Sequence, residues 1–148
     1  SRMMELSLPP FKYKVKKQGG NVLIFDILRK KFVVLTPEEW VRQHLVHYLI
    51  DVKGCPPALI AVEREIELYG LPRRFDVVVF DRSGTPWLLV ECKAPSVPLR
   101  RQVFDQAFRY NITLSAPYVA VTNGVTHFCG KIDTKRGFVF LNDFPDFK

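Results

Sequence analysis

Hydrophobic positions in this chain fall into short runs, most with the two-residue period of strands and two with the period of a helix. "NVLIFDILRKKFVVLTPEE" reads as two strands, 22–27 and 31–35, joined by a charged turn. A helix follows with a marked start: Thr36 suits the N-cap, Pro37 the first helical position, and Glu39 stands three after Thr36 as in a capping box. Val41, Leu45, Tyr48 and Leu49 then recur at helical spacing to about Asp51, and Gly54, Cys55, Pro56 and Pro57 break the chain. "VEREIEL" (62–68) alternates like a half-exposed strand. "RFDVVVF" (74–80) and the segment 87–93 read as strands around the turn "DRSGTP". A second helix is expected from about Pro98 to Leu114, then a buried strand, "PYVAVTN" (117–123), whose continuous apolar run suits a parallel neighbour. Strands near 126–132 and 137–141 close the chain. This order predicts an α/β domain, a mixed β-sheet flanked by helices.

A length of 148 residues fits one domain, and 47% hydrophobic residues supply a core for it. Residues 4–35 read as an N-terminal extension and hairpin, 36–132 as the core and 133–148 as a C-terminal strand and tail. The opening "SRM" reads as a cloning remnant. No apolar run approaches the ~18 residues of a membrane span, and the start carries no signal-peptide pattern. Cys55, Cys92 and Cys129 are widely spaced, with no CxxC pair, which fits free thiols in the cytoplasm. The net charge of +7 changes the picture more, because a basic chain favours polyanions, nucleic acid above all, although basic composition also serves solubility. In "KYKVKK" the lysines either touch DNA or protect an edge strand, and the second role is expected. Trp40 is expected in the core, and His44, His47 and His127 as surface or partly packed residues rather than metal ligands.

Chemistry concentrates in "PWLLVECKAPS", where an apolar strand ends in Glu91, Cys92 and Lys93 without a turn residue. If Phe80 pairs with Trp87 across the hairpin, Asp76 falls opposite Glu91, with Cβ atoms about 5 Å apart on one face. Lys93, two residues on, shares that face. At an effective dielectric near 20, two carboxylates at that distance repel by about 3 kcal/mol. Either an ion network of Lys93, Arg73 and Arg74 or a hard divalent cation offsets this. Glu39, or Glu38 beside it, is placed to add a third carboxylate, unless Glu39 only completes the capping box. Gln106 and Tyr110 stand four apart on one helical face.

Taken together, the helix with Glu39, Asp76 in its strand, "ECK" at 91–93 and "QAFRY" at 106–110 resemble the PD-(D/E)xK nuclease superfamily. "TPEEWVRQHLVHYLI", "RFDVVVFDRSGTPWLLVECKAPS", "QAFRYN" and "VAVTNG" look most like the N-terminal nuclease domain of type I restriction enzyme R subunits and its stand-alone relatives, over roughly residues 30–130. The resemblance implies a restriction-endonuclease-like core and Mg²⁺-dependent cleavage of DNA, with Mn²⁺ as a substitute. It implies metal binding by Asp76 and Glu91, a catalytic Lys93, and Glu39 as the acidic residue of the first helix with Arg42 one turn on. Gln106 and Tyr110 match a QxxxY motif. The sequence departs from the pattern in having Phe75 before Asp76 where proline is usual, and in lacking a Walker motif, so translocation is expected to need other restriction-system subunits.

The expected function is therefore an endonuclease in which a metal-activated water attacks a phosphodiester in line and the 3′ oxygen leaves. Arg42, Arg73, Arg74, Arg100 and Arg101 are the candidate phosphate contacts, without sequence specificity. One active site cuts one strand, so a double-strand break calls for a homodimer or two events. The alternatives are a non-catalytic nucleic-acid-binding module, or a protein-interaction module of a restriction or repair complex that keeps the fold.

Overall fold

The structure, a computed structural model, describes residues 4–148; residues 1–3, including the "SRM" read as a cloning remnant, lie outside the described residues, as do the side chains of Leu68 and Thr113. Strands β1 (Val15–Gln18), β2 (Asn21–Asp26) and β3 (Lys31–Val34) form a small antiparallel sheet. After helix α1 (Pro37–Asp51), strands β4 (Ile60–Leu68), β5 (Leu71–Phe80) and β6 (Pro86–Cys92) form an antiparallel meander. Helix α2 (Arg101–Leu114) then crosses over to β7 (Tyr118–Thr122), which lies parallel to β6. Strands β8 (His127–Asp133) and β9 (Gly137–Leu141) continue antiparallel, so the main sheet runs β4-β5-β6-β7-β8-β9 and is mixed. Among the described residues no helix is long and apolar enough to cross a membrane.

The two helices cover opposite faces of this sheet. Val41, Leu45 and Leu49 of α1 pack with Val77, Val79, Leu88 and Val90, all fully buried. On the other face Phe104 and Ala107 of α2 meet Val119 and Val121, and Leu114 meets Leu89. Helix α1 is enclosed further, because Glu39 through Val46 are buried without a break. The N-terminal segment lies across its remaining side. Ser7 N–H donates to the Gly124 carbonyl at 2.9 Å, Leu8 is buried, and the Trp40 indole N–H donates to the Met4 carbonyl at 2.8 Å. Gly124 has φ +85°, and a Cβ there would come within 2.8 Å of Leu6, so glycine permits both the turn and the close approach.

Several sequence expectations shift in detail. The Thr36 hydroxyl caps α1 by accepting from the Glu39 N–H at 3.0 Å, but the Glu39 carboxylate turns elsewhere, so only half of the capping box forms. Helix α2 starts at Arg101 rather than near Pro98: Val97 N–H donates to the Ala94 carbonyl, and Asn123 donates to the Val97 carbonyl, pinning that stretch as a turn against the end of β7. His44 is buried rather than near the solvent boundary, with Nδ1 donating to the Trp40 carbonyl at 2.8 Å, because the N-terminal segment covers it. The lysine-rich stretch contributes β1, an edge strand paired only with β2, and all three cysteines are free and buried.

One tight point in the sheet gives a direct test. Phe138 of β9 lies over Gly130 of β8, where an added Cβ would fall 1.8 Å from the ring. Gly130→Ala is expected to displace this ring and cost about 1–3 kcal/mol in urea unfolding, while Gly19→Ala, at an open turn position, should leave the Phe138 contact intact.

Candidate active site

Strands β5 and β6 bring the acids together. Their paired register ends with Val77 opposite Val90, and Asp76 and Glu91 are the next residue on each strand. At the turn end a bulge shifts the pairing, so Phe80 meets Pro86 rather than Trp87, without disturbing the register at the acids. Asp76 Oδ2 accepts the Cys92 N–H at 2.9 Å and so is anchored to the end of β6. Lys93 follows just beyond β6, tied to β7 by its N–H to the Thr122 carbonyl at 2.8 Å. Its ammonium lies 4.0 Å from Glu91 Oε1.

Two further acids join them. Carboxylate oxygens of Glu38, Glu63 and Asp76 lie within 4.8 Å of one another. Glu63 interrupts β4 with φ +50°, and the β4–β5 ladder skips the pairing between Glu63 and Asp76. A left-handed glutamate inside a strand costs roughly 1–2 kcal/mol, a strain that accompanies its turn toward the cluster. Glu38 reaches the same place from α1, lying on the core-facing side two turns before Leu45.

Glu39 is thus not the acid that α1 contributes. It lies about 100° further round the helix, buried among Arg42 (2.8 and 3.2 Å), Arg29 (2.9 Å) and Gln43 (3.0 Å). Burial opposes its charge, but these donors outweigh burial and hold its carboxyl below the usual range. Arg29 and Gln43 also bond Asp26, at 2.6 and 3.2 Å, which links the small sheet to the helix.

Arg42, expected to face DNA, is also placed elsewhere. Its side chain is only 7% exposed, and its Nη1 donates to Glu63 at 2.6 Å and to Asp76 at 3.0 Å while Nε and Nη2 hold Glu39. No phosphate reaches it in this arrangement. Of the other arginines, Arg74 pairs with Glu63 at 3.1 Å, Arg101 pairs with Asp105 at 2.9 Å, and Arg100 stands exposed at the N-cap of α2. The exposed Arg73 sets its guanidinium 6.0 Å from the Tyr110 ring. Gln106 donates to the Tyr110 hydroxyl at 3.4 Å, so the two residues form one pair on α2, and Arg73 connects it to β5 three residues before Asp76. None of the three histidines joins the acids; His127 Nδ1 bonds the Thr122 hydroxyl at 2.6 Å.

The cations present do not neutralise the acids at the β5–β6 pair. Burial pushes Asp76 up to about 6, against the Cys92 N–H and Arg42. Burial and then the Asp76 charge push Glu91 up to about 8, against Lys93. Without an added cation Glu91 is therefore held toward its protonated form by burial and by the Asp76 charge beside it. Carboxyls kept from ionising for want of positive charge suit a hard divalent ion, and the donors here are all oxygens.

Residues 37–145 match the family model for the type I restriction enzyme R protein N terminus. The chain belongs to this family. A fragment assigned to the HsdR subunit of a type I restriction enzyme from Vibrio vulnificus YJ016 has the same fold, with a TM-score of 0.55 and 21% identity. The match covers 75% of this chain and 24% of that fragment, so the chain spans about a quarter of its length. No curated protein matches the chain. In this chain the closeness of Asp76 and Glu91 follows from strand alternation, and Glu38 carries a signal as well, standing seven before the core residue Leu45. Glu63 carries none, because alternation treats it as one more polar strand position.

Two measurements probe the cluster. Arg42→Ala strands buried carboxylates and is expected to cost about 3–5 kcal/mol in urea unfolding at neutral pH, with a smaller loss near pH 4. The raised values of Asp76 and Glu91 mean that the metal-free fold binds their protons more tightly than the unfolded chain. Their contribution is full below about pH 4 and is lost as pH rises through about 6 and then 8. Burial lowers His44, His47 and His127 and acts in the opposite sense as pH rises through the ordinary histidine range, so the readout is a difference. In EDTA, the melting temperature of wild type relative to Glu91→Gln should fall by about 5 °C between pH 5 and 8.5.

Proposed function

We propose that this domain has a restriction-endonuclease-like core of the PD-(D/E)xK type and hydrolyses DNA phosphodiester bonds with a divalent cation, Mg²⁺ or Mn²⁺, held by Asp76 and Glu91. The observation that carries the reading is the pair of carboxyls at the β5–β6 pair, Asp76 buried and Glu91 half-buried, with too little positive charge between them. A bound divalent cation supplies Lewis-acid polarisation of the phosphodiester and makes water a nucleophile at neutral pH. Asp76 is held in place by Cys92 N–H, and Glu91 would give up its proton to the solvent on holding the cation. Glu38 and Glu63 bring further oxygens to the approach. Lys93, one-third exposed and 4.0 Å from Glu91, orients the attacking water and offsets charge developing on phosphorus. The Gln106–Tyr110 pair and Arg73 border the site from α2 and β5 and meet the DNA backbone. Arg74, Arg100 and Arg101 extend that basic border. The natural setting is a cytoplasmic restriction system in which other subunits bring the DNA, and a double-strand break uses two copies or two successive events.

One observation favours a second reading. Arg42 Nη1 already lies 3.0 Å from Asp76, as in a purely structural ion network of a domain that binds partners without cutting. Cleavage of supercoiled plasmid separates the two. With Mg²⁺ or Mn²⁺, wild type is expected to nick the plasmid, Asp76→Asn, Glu91→Gln and Lys93→Ala to lose about a hundredfold or more, and Glu38→Gln to lose more than Glu39→Asp. Nicking that survives Lys93→Ala or addition of EDTA refutes the hydrolytic reading.

A further inference from the structure

On the side of α1 turned away from the carboxylates lies a cleft of about 260 Å³. Its walls include Glu5, Phe11, Tyr13, Trp40 and His44. Three rings meet at one end of it: Tyr13 to Trp40 at 89° with centroids 5.1 Å apart, Phe11 to Tyr13 at 62° and 5.7 Å, and Phe11 to Trp40 tilted at 39° and 6.1 Å. The rings touch one another as an edge-to-face cluster, and the cleft opens beside them. The cleft is also anchored. Trp40 is fixed by its bond to the Met4 carbonyl, Phe11 stacks on His47 at 4.1 Å, and the segment behind it is bonded to the loop at Gly124. The volume falls below the ~300 Å³ lower end of drug-sized sites and suits a single planar ring system.

Charge identifies the ring. Phe11 and Tyr13 alternate with Lys12 and Lys14, both exposed, and Lys16 and Lys17 continue the basic run. Aromatic side chains interleaved with solvent-facing lysines bind single-stranded nucleic acid, bases on the rings and phosphates on the ammonium groups. The exposed Glu5 is a wall residue that repels phosphate yet accepts hydrogen bonds from the N–H edge of a base. We infer that this cleft takes one unpaired base of single-stranded DNA, with Lys12 and Lys14 on the flanking phosphates. The inference rests on the DNA half of the function proposed above. Trp40 lies about 200° round the helix from Glu38, so base and acids are separated by roughly one helix diameter, about 10–12 Å.

Fluorescence anisotropy in EDTA tests it with cleavage silent. The probes are a labelled short oligothymidylate and an abasic strand of the same length and charge. Wild type is expected to bind the oligothymidylate about tenfold more tightly than the abasic strand. Tyr13→Ala, at a half-exposed position, should abolish that preference, and Lys12→Ala with Lys14→Ala should weaken both probes equally. Equal binding of the two probes by wild type, or a preference unchanged in Tyr13→Ala, overturns the inference. Should Tyr13→Ala melt early, Tyr13→Leu keeps the bulk without the π face and is held to the same outcomes. Plasmid cleavage without base preference removes the pocket and leaves the nuclease standing; base preference without cleavage does the reverse.

Discussion

The guanidinium of Arg42 is the charge on which the arrangement of this domain depends. It is buried, yet it touches Glu39 on its own helix, Glu63 on β4 and Asp76 on β5. A buried cation persists only where acids surround it, and buried acids are tolerable only where cations do. One side chain thus fixes how α1 sits on the sheet. Around it the surplus of carboxylates is graded. Glu39 has three donors and stays ionised, whereas Glu91 has only Lys93 at a distance and keeps a proton. The candidate chemistry lies where this internal compensation stops.

Helix α1 organises the surroundings because every side of it is in use. Val41, Leu45 and Leu49 face the apolar sheet, and Glu38 extends that side beyond the core to the acids. Glu39 and Gln43 turn to Asp26 and Arg29 of the small sheet's last turn. Trp40 and His44 face the N-terminal segment. A helix buried on all sides shows little segregation of apolar from polar residues, so its periodicity gave the element but not its orientation.

This accounts for what could be read in advance. The pairing of Asp76 with Glu91 was legible because a hairpin with alternating side chains leaves few registers, and the bulge at Phe80 fell outside the stretch that mattered. Both helices and all six strands of the main sheet were visible in the hydrophobic pattern. The resemblance and the capping motif pointed to Glu39, with Glu38 left open beside it, whereas Glu38 is the one gathered with Glu63 and Asp76. The burial of Arg42 and His44 was hidden for a different reason: each is enclosed by parts of the chain far away in sequence. Glu63 was invisible because its backbone leaves the strand conformation with no glycine or proline to announce it.

The acids and their counter-charge also differ in how far apart they lie along the polypeptide. Asp76 finds the end of β6 across a span of 16 residues, through a local hairpin, whereas Arg42 reaches Asp76 over a span of 34. Short loops close before long ones. The hairpin that carries Asp76 is therefore expected to close before α1 docks Arg42 against it, and until then its carboxylates face water.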